Sequence, residues 1–253
     1  MILITQPRVG KSHNEIIALQ MAAESLGWEV YPSEYSWRLP DELIASGKVG
    51  VPYGSQIFCE VIAQQMGWKL LLNSFDWLAK LPLPYVQRKV EFMTLDKAMN
   101  LSETRFIKPA DDKIFEAKVY APGDLKPFDS IPMDTPCLVS EIVNFDLEYR
   151  TFIVPNKTVR AWSNYICFEH LADPKFWHMI PADEGEPRDF VEQLLFDVEC
   201  DGLETVPSVI DVGRIPGKGW AIIESNPAWA SGLYGCDPVA ALKVMAAACK
   251  KQE

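Results

Sequence analysis

The sequence has no long apolar run. Its longest are about six residues, far short of the roughly 20 that carry a helix across a bilayer, so no transmembrane helix is expected. Positive charge is in short supply: 24 Lys and Arg stand against 35 Asp and Glu, a net charge of −11. General nucleic-acid binding wants a basic face, and this balance argues against one while leaving room for a small basic pocket. Histidine is scarce, with only His13, His170 and His178, scattered along the chain. The six cysteines, Cys59, Cys137, Cys167, Cys200, Cys236 and Cys249, contain no Cys-x-x-Cys pair. Neither pattern has zinc-site spacing, and nothing local marks a Cys–His nucleophile. Internal repeats and low-complexity tracts are missing too. The opening Met1-Ile-Leu-Ile-Thr-Gln-Pro7 is too short and uncharged for a signal peptide and reads as a strand. The expectation is a cytoplasmic protein whose cysteines are reduced core thiols.

What is present is ordinary globular composition, 48% apolar and 23% charged over 253 residues. That is enough chain for one large domain or two small ones. The first third alternates strand and helix. Strands are expected at Met1–Thr5, Trp28–Tyr31 and Trp68–Leu72, and helices at Ser12–Leu26 and Gly54–Gly67, the second opened by Ser55 and closed by Gly67. Such alternation implies a small parallel sheet. Leu81-Pro-Leu-Pro84 is the first clear break, and the domain boundary is placed there. Beyond it, Tyr85–Met99 reads as helical. Strands in hairpins follow at Arg105–Lys108, Ala117–Tyr120, Leu138–Val143, Glu148–Val154 and Thr158–Phe168. Asp189–Asp197 reads as a short amphipathic helix, Ser208–Ile215 and Trp220–Glu224 as the last strands, and Asp237–Lys250 as a closing helix. The fold class expected is therefore α/β followed by α+β, with mixed and antiparallel sheets.

One motif tempts and fails. Arg8-Val-Gly-Lys-Ser12 sits between a strand and a helix, where a phosphate-binding P-loop would lie. The full pattern needs a glycine where Thr5 stands, and Pro7 removes an amide donor. The reading preferred is a plain strand-to-helix turn with Ser12 as N-cap.

The last hairpin carries more. A two-residue turn at Gly217-Lys218 predicts Asp211 opposite Glu224, with Cβ atoms roughly 5 Å apart. Asn226, two residues on, shares the face of Glu224. Opposed carboxylates repel unless a cation lies between them, and three hard oxygen ligands suit Mg²⁺. Surface acids are the alternative, but both acids lie within apolar strands. Lys108 ends the strand Phe106-Ile-Lys-Pro109 and Lys118 lies on the strand returning from the loop. They are either phosphate contacts or snorkelling surface lysines. Glu141 ends an apolar strand, and Glu148 and Arg150 share a face of the next one. That pair is either a surface ion pair or a ribose- or phosphate-binding pair in a cleft. Arg160 and Tyr165 lie on the strand after.

Together these residues resemble an ATP-grasp enzyme: a Lys-Pro strand end, a strand reaching Glu141, Glu-x-Arg, a strand aspartate, then Glu-x-Asn-x-x-Trp. The stretch Ile223-Glu-Ser-Asn-Pro-Ala-Trp-Ala-Ser-Gly-Leu-Tyr-Gly235 is similar to the clade named for its two arginines and one lysine. Phe106-Ile-Lys-Pro-Ala-Asp-Asp-Lys113 and Pro52-Tyr-Gly-Ser55 fit it as well. The resemblance covers most of the chain. It implies a Rossmann-like pre-ATP-grasp domain at 1–84 and a two-lobed ATP-grasp domain at 85–253, with lobes of roughly 85–140 and 141–253. It also implies ATP and Mg²⁺ as cofactors, with Lys108, Lys113 and Lys118 at adenine or phosphates and Glu141 and Val143 at the hinge beside the adenine. Glu148 would reach the ribose, Asp211, Glu224 and Asn226 would hold the metal, and Arg150, Arg160 and Arg214 would face the γ-phosphate or an acyl-phosphate. Loop Ala110–Phe115 has no glycine, where the family loop over the phosphates is usually rich in it. The activity implied is a ligase joining a small-molecule or peptide carboxylate to an amine or thiol through an acyl-phosphate. A non-catalytic ATP-binding module and a kinase-like phosphotransferase are the alternatives. Trp229, Tyr234 and the loop Ala230–Gly235 are candidates for lining the acceptor site.

Overall fold

The computed structural model describes residues 1–6, 13–111, 114–126, 130–155, 158–167, 170–171 and 185–252. The N-terminal run is β1 (Ile2–Thr5), α1 (His13–Ser25), β2 (Glu29–Pro32), α2 (Asp41–Ala45), β3 (Gly50–Tyr53), α3 (Gln56–Met66) and β4 (Trp68–Leu70). Then come α4 (Trp77–Lys80), α5 (Leu83–Val86), β5 (Val90–Thr94), α6 (Leu95–Met99), β6 (Arg105–Pro109), β7 (Lys118–Tyr120) and β8 (Pro136–Ser140). The last part is β9 (Leu147–Val154), β10 (Thr158–Cys167), β11 (His170–Leu171), α7 (Gly185–Cys200), β12 (Ser208–Ile215), β13 (Gly219–Pro227), α8 (Pro238–Ala247) and β14 (Cys249–Lys251).

Local chemistry sets several boundaries. Ser55 caps α3 by accepting from the Phe58 amide at 3.3 Å, and Gly67 ends it in the left-handed region at φ 63°, which glycine adopts without a Cβ penalty. Asp237 caps α8 by accepting from the Ala240 amide at 2.7 Å, with Pro238 at the first helical position.

Strands β2, β1 and β3 form a parallel sheet in that order. The alternation of strand and helix predicted a parallel sheet, but its third strand is Gly50–Tyr53, which was not expected. The strand expected at Trp68–Leu72 is β4, which lies outside that sheet and pairs antiparallel with β14. A four-stranded antiparallel sheet runs β5-β8-β6-β7, and a five-stranded antiparallel sheet runs β11-β10-β9-β12-β13. Side chains alternate across the five-stranded sheet, so each face buries its own core. Phe152 and Val209 face the core shared with the parallel sheet, α3 and α8. Tyr149, Ile153, Ile210, Val212 and Ile222 face the other, against α7 and α4. A third core lies between the four-stranded sheet and α6, around Leu95, Ile107 and Val139.

Several expectations need correction. Tyr85–Met99 is not one helix: α5 is a single turn and Val90–Thr94 is a strand, because β8 supplies ladder partners for it, Phe92 opposite Leu138 among them. Tertiary pairing overrides weak helical periodicity there. The strand expected to reach Val143 ends at Ser140, leaving Glu141 just beyond it. The closing helix stops at Ala247, and Cys249–Lys251 pairs antiparallel with β4. Cys59, Cys137, Cys236 and Cys249 are buried free thiols, but Cys200, at the end of α7, is exposed. The last hairpin turns through three residues, Pro216 to Lys218, rather than two. Residues 8–12 of the P-loop-like segment lie outside the described residues, as does Lys113.

Candidate active site

The centre of the site is a row across three strands. Arg150 on β9 pairs with Asp211 on β12, and Asp211 pairs with Glu224 on β13. Near the turn the hairpin is offset by one from a two-residue turn, and a bulge at Ile223 offsets it back, so Glu224 stands opposite Asp211. Asp211 is fully buried. Arg150 grips it bidentately, Nε donating to Oδ1 at 2.9 Å and Nη2 to Oδ2 at 2.7 Å. The third guanidinium nitrogen, Nη1, donates to the Gly232 carbonyl at 3.2 Å. The cation lies against the rings of Tyr165 and Tyr234, 5.3 and 4.5 Å from their centroids, and the two rings also touch each other.

Asn226 donates from Nδ2 to Glu224 Oε1 at 2.8 Å and to Asp211 Oδ2 at 3.3 Å, so the three predicted metal ligands do converge. Lys108, on β6 of the other sheet, reaches across to Glu224 Oε2 at 2.5 Å. Glu148 lies on the same face as Arg150 and accepts from the Tyr165 hydroxyl at 2.8 Å.

Electrostatics follows from these contacts. Burial works to raise the pKa of Glu224, but Lys108 and the Asn226 amide outweigh it and draw it down to about 2. Asp211 is raised by burial, against the pull of Arg150. Burial opposes the charge on Arg150, and Asp211 reverses that and raises its pKa. Glu148 is raised by burial, with the Tyr165 bond opposing.

The other predicted residues are placed as follows. Glu141 accepts from the Lys89 amide at 2.8 Å and its own amide donates to the Lys89 carbonyl at 3.1 Å, joining the start of β5 to the end of β8. Val143 is half-buried. Lys118 is exposed, paired with Glu116 and lying over the Tyr120 ring. Arg160 is exposed, in the irregularity of β10 between Val159 and Ala161, and makes no ion pair with a described residue. Arg214 is gripped bidentately by Asp146 at 3.0 and 2.9 Å. By strand alternation it lies on the face opposite Asp211. The row thus brings together Lys108, Glu148, Arg150, Asp211, Glu224 and Asn226, and does not include Arg160, Arg214 or Lys118.

Sequence reasoning missed Arg88. Its guanidinium is buried and donates to the carbonyls of Val86 (2.9 Å), Ile222 (2.9 Å) and Ile223 (3.2 Å). It lies under the Phe145 ring, and burial lowers its pKa to about 10. A bulge leaves ladder groups unpaired, and here Arg88 takes up the carbonyls around it. Glu15 was missed as well. It lies on the first turn of α1 and accepts from the amides of Leu233 and Tyr234. Neither residue sits in a motif, and apart from Val86 the partners named here are far away in sequence.

The donor set fits Mg²⁺. By residue type it has two carboxylates and a carboxamide, and with Glu148 the face carries three acids against the two cations Arg150 and Lys108. Here Arg150 and Lys108 occupy carboxylate oxygens and Asn226 turns its Nδ2 to the acids, so binding the ion would require these side chains to turn. No group of three or more His, Cys, Asp or Glu with metal-holding geometry occurs among the described residues, so such a site would draw its remaining ligands from water and substrate phosphate.

A family model matches residues 85–244: the ATP-grasp domain, family 2 of the clade named for two arginines and one lysine. The chain belongs to this ATP-grasp family. Its fold is similar to that of D-cycloserine synthetase DcsG, with a TM-score of 0.58 at 11% identity, covering 97% of this chain and 99% of that one. It is also similar to the L-amino acid ligase from Bacillus licheniformis, with a TM-score of 0.50 at 12% identity, covering 89% of this chain and 66% of that one. At these identities the likeness is one of fold. No curated protein matches the sequence. Among the described residues, no helix is long and apolar enough to cross a membrane.

Proposed function

We propose that the chain is an ATP- and Mg²⁺-dependent ligase that joins a carboxylate to an amine or thiol through an acyl-phosphate. The observation that carries this reading is the convergence of Lys108, from one sheet, on the Asp211–Glu224–Asn226 set of the other. A clasped triphosphate needs that combination of cation and oxygen ligands between two lobes. In this reading residues 85–140 and 141–253 are the lobes, and residues 1–84, with their three-stranded parallel sheet, are a Rossmann-like pre-ATP-grasp domain.

The chemistry is phosphoryl transfer followed by acyl transfer. An oxygen of the substrate carboxylate attacks the γ-phosphorus and ADP leaves. The amine or thiol then attacks the acyl carbon, inorganic phosphate leaves, and the nucleophile gives up its proton. Lys108 would neutralise phosphate charge, Glu148 would bind the ribose, and Glu141 and Val143 would border the adenine. Asp211, Glu224 and Asn226 would hold Mg²⁺, which when bound supplies charge neutralisation on the phosphates. Arg150 holds Asp211 in place. Lys113, Lys118, Arg160 and Arg214 are carried into the proposal by the family resemblance alone. The carboxylate and amine proposed are those of a small molecule or a peptide; two relatives that share the fold are described as a D-cycloserine synthetase and an L-amino acid ligase.

Calorimetry with Mg·ATP tests the reading, on the native chain and on an Asp211→Asn, Glu224→Gln double variant that keeps side-chain shape. Metal-dependent binding weakened by about tenfold or more, about 1.4 kcal/mol, is expected in the variant. ADP release on adding the right carboxylate and amine completes the case. Absence of binding to the native chain overturns it. Binding without turnover on any carboxylate–amine pair points to a sensing module, and a stable phosphorylated product to a kinase.

A further inference from the structure

We propose that Glu15 of α1 is a positioning residue for Arg150, and through it for the buried Asp211. The catalytic weight of Arg150 and Asp211 rests on the proposed function, while the chain of contacts stands without it. Glu15 lies more than two hundred residues before the loop it touches. One carboxylate oxygen, Oε1, accepts from two successive amides, Leu233 at 3.0 Å and Tyr234 at 3.2 Å. The other, Oε2, accepts from the Tyr53 hydroxyl at 3.2 Å. Burial first, and then Glu15 itself, raise the pKa of Tyr53, which keeps that hydroxyl a donor.

The loop so held is the one that encloses Arg150. Tyr234 has φ +46°, a left-handed conformation that costs a non-glycine residue about 1 kcal/mol and needs a local reason. The bonds from Leu233 and Tyr234 to Glu15 supply it. In that conformation the Tyr234 ring lies 4.5 Å from the Arg150 guanidinium and 5.2 Å from the Tyr165 ring, and the Gly232 carbonyl accepts from Arg150 Nη1. A Cβ at Gly232 would meet the Tyr234 ring at 3.0 Å and the Glu15 carboxylate at 3.4 Å, so the loop is closed tightly on both. Arg150 then presents Nε and Nη2 to Asp211. Four groups thus set the guanidinium: Asp211, the Tyr165 ring, the Tyr234 ring and the Gly232 carbonyl. Two of the four belong to the loop that Glu15 holds. Through this contact the N-terminal part of the chain takes part in fixing the acid of the metal set.

The test reads Arg150 directly. Hydrogen exchange of its Nε–H is followed by ¹H–¹⁵N spectroscopy, with the signal assigned by its loss in Arg150→Lys. Glu15→Ala, and Glu15→Asp, which keeps the charge but is one methylene too short, are expected to speed exchange about tenfold or more, about 1.4 kcal/mol of opening. Glu15→Gln, whose amide oxygen still accepts from both main-chain amides, is expected to stay within about threefold of native. A general loss of stability would speed exchange in other buried amides equally, so amides in β6 and β8 serve as the reference. If Glu15→Ala does not fold, Glu15→Asp decides. Native exchange at Arg150 in these variants, or equal acceleration in Glu15→Gln, overturns the proposal. In parallel, Mg·ADP affinity should fall about tenfold in Glu15→Asp. Failure of Mg·ADP to bind the native chain would count against the proposed function and leave the Arg150 measurement to decide this inference.

Discussion

Asp211 and Glu224 face each other across β12 and β13 because Ile223 is bulged out of the ladder. The turn spans three residues, and an unbroken ladder from it would set Asp211 against Ile223 and turn Glu224 to the other face. The bulge restores the pairing, and Arg88 receives the carbonyls of Ile222 and Ile223 that flank it. The bulge is therefore part of the site.

Arg88 should be costly to remove. Arg88→Met strips three buried or half-buried carbonyls of their donor, and a loss of about 3 kcal/mol in unfolding free energy is expected. Arg88→Lys, which keeps a charge but cannot span all three, should lose less. Urea unfolding of the two variants checks the order.

The Arg150–Asp211 pair should show the asymmetry of buried ions. Asp211 has no exposed surface, so Arg150→Met leaves a buried acid without its cation, at about 3–5 kcal/mol. Adding Asp211→Asn removes the charge that had lost its partner and should recover a substantial part. A double variant no more stable than Arg150→Met, by the same unfolding measurement, would contradict this account.

Acid should weaken the contact between the two sheets. Glu224 is drawn down to about 2 from an ordinary 4.5, so its folded-state pKa is depressed. Its contribution is fully present above the unfolded value and is lost as pH falls from about 4.5 towards 2. Lys108→Met removes the main cause of the depression. The stability difference between native and Lys108→Met chains should therefore be largest near neutral pH and shrink as pH falls towards 2. Asp211 and Glu148, both raised by burial first and in part by the charge on Glu224, titrate with the opposite sign and oppose this trend. Unfolding midpoints measured from pH 7 to pH 3 test it.

Much of the fold was legible where the pattern is local. That a parallel sheet is present followed from strand–helix alternation, although β3 was missed and Trp68–Leu70 pairs elsewhere, and Ser55, Gly67 and Asp237 mark helix ends by their own chemistry. Asp211 opposite Glu224 was legible too, although by two departures that cancel: a turn one residue longer than expected and a bulge that sequence does not announce. What sequence could not give is pairing at a distance. Val90–Thr94 becomes a strand because of β8. Arg214 is tied to Asp146 rather than turned towards Asp211. Arg88 and Glu15 act on main-chain groups more than a hundred residues away, where side-chain type carries no signal.

The β4–β14 ladder has a consequence for synthesis. Trp68–Leu70 has one strand partner among the described residues, Cys249–Lys251. A ribosome adding about 5–20 residues per second leaves β4 waiting roughly 10–40 s for that partner. Throughout that interval β4 is an open edge on the nascent chain, available to any other strand it meets.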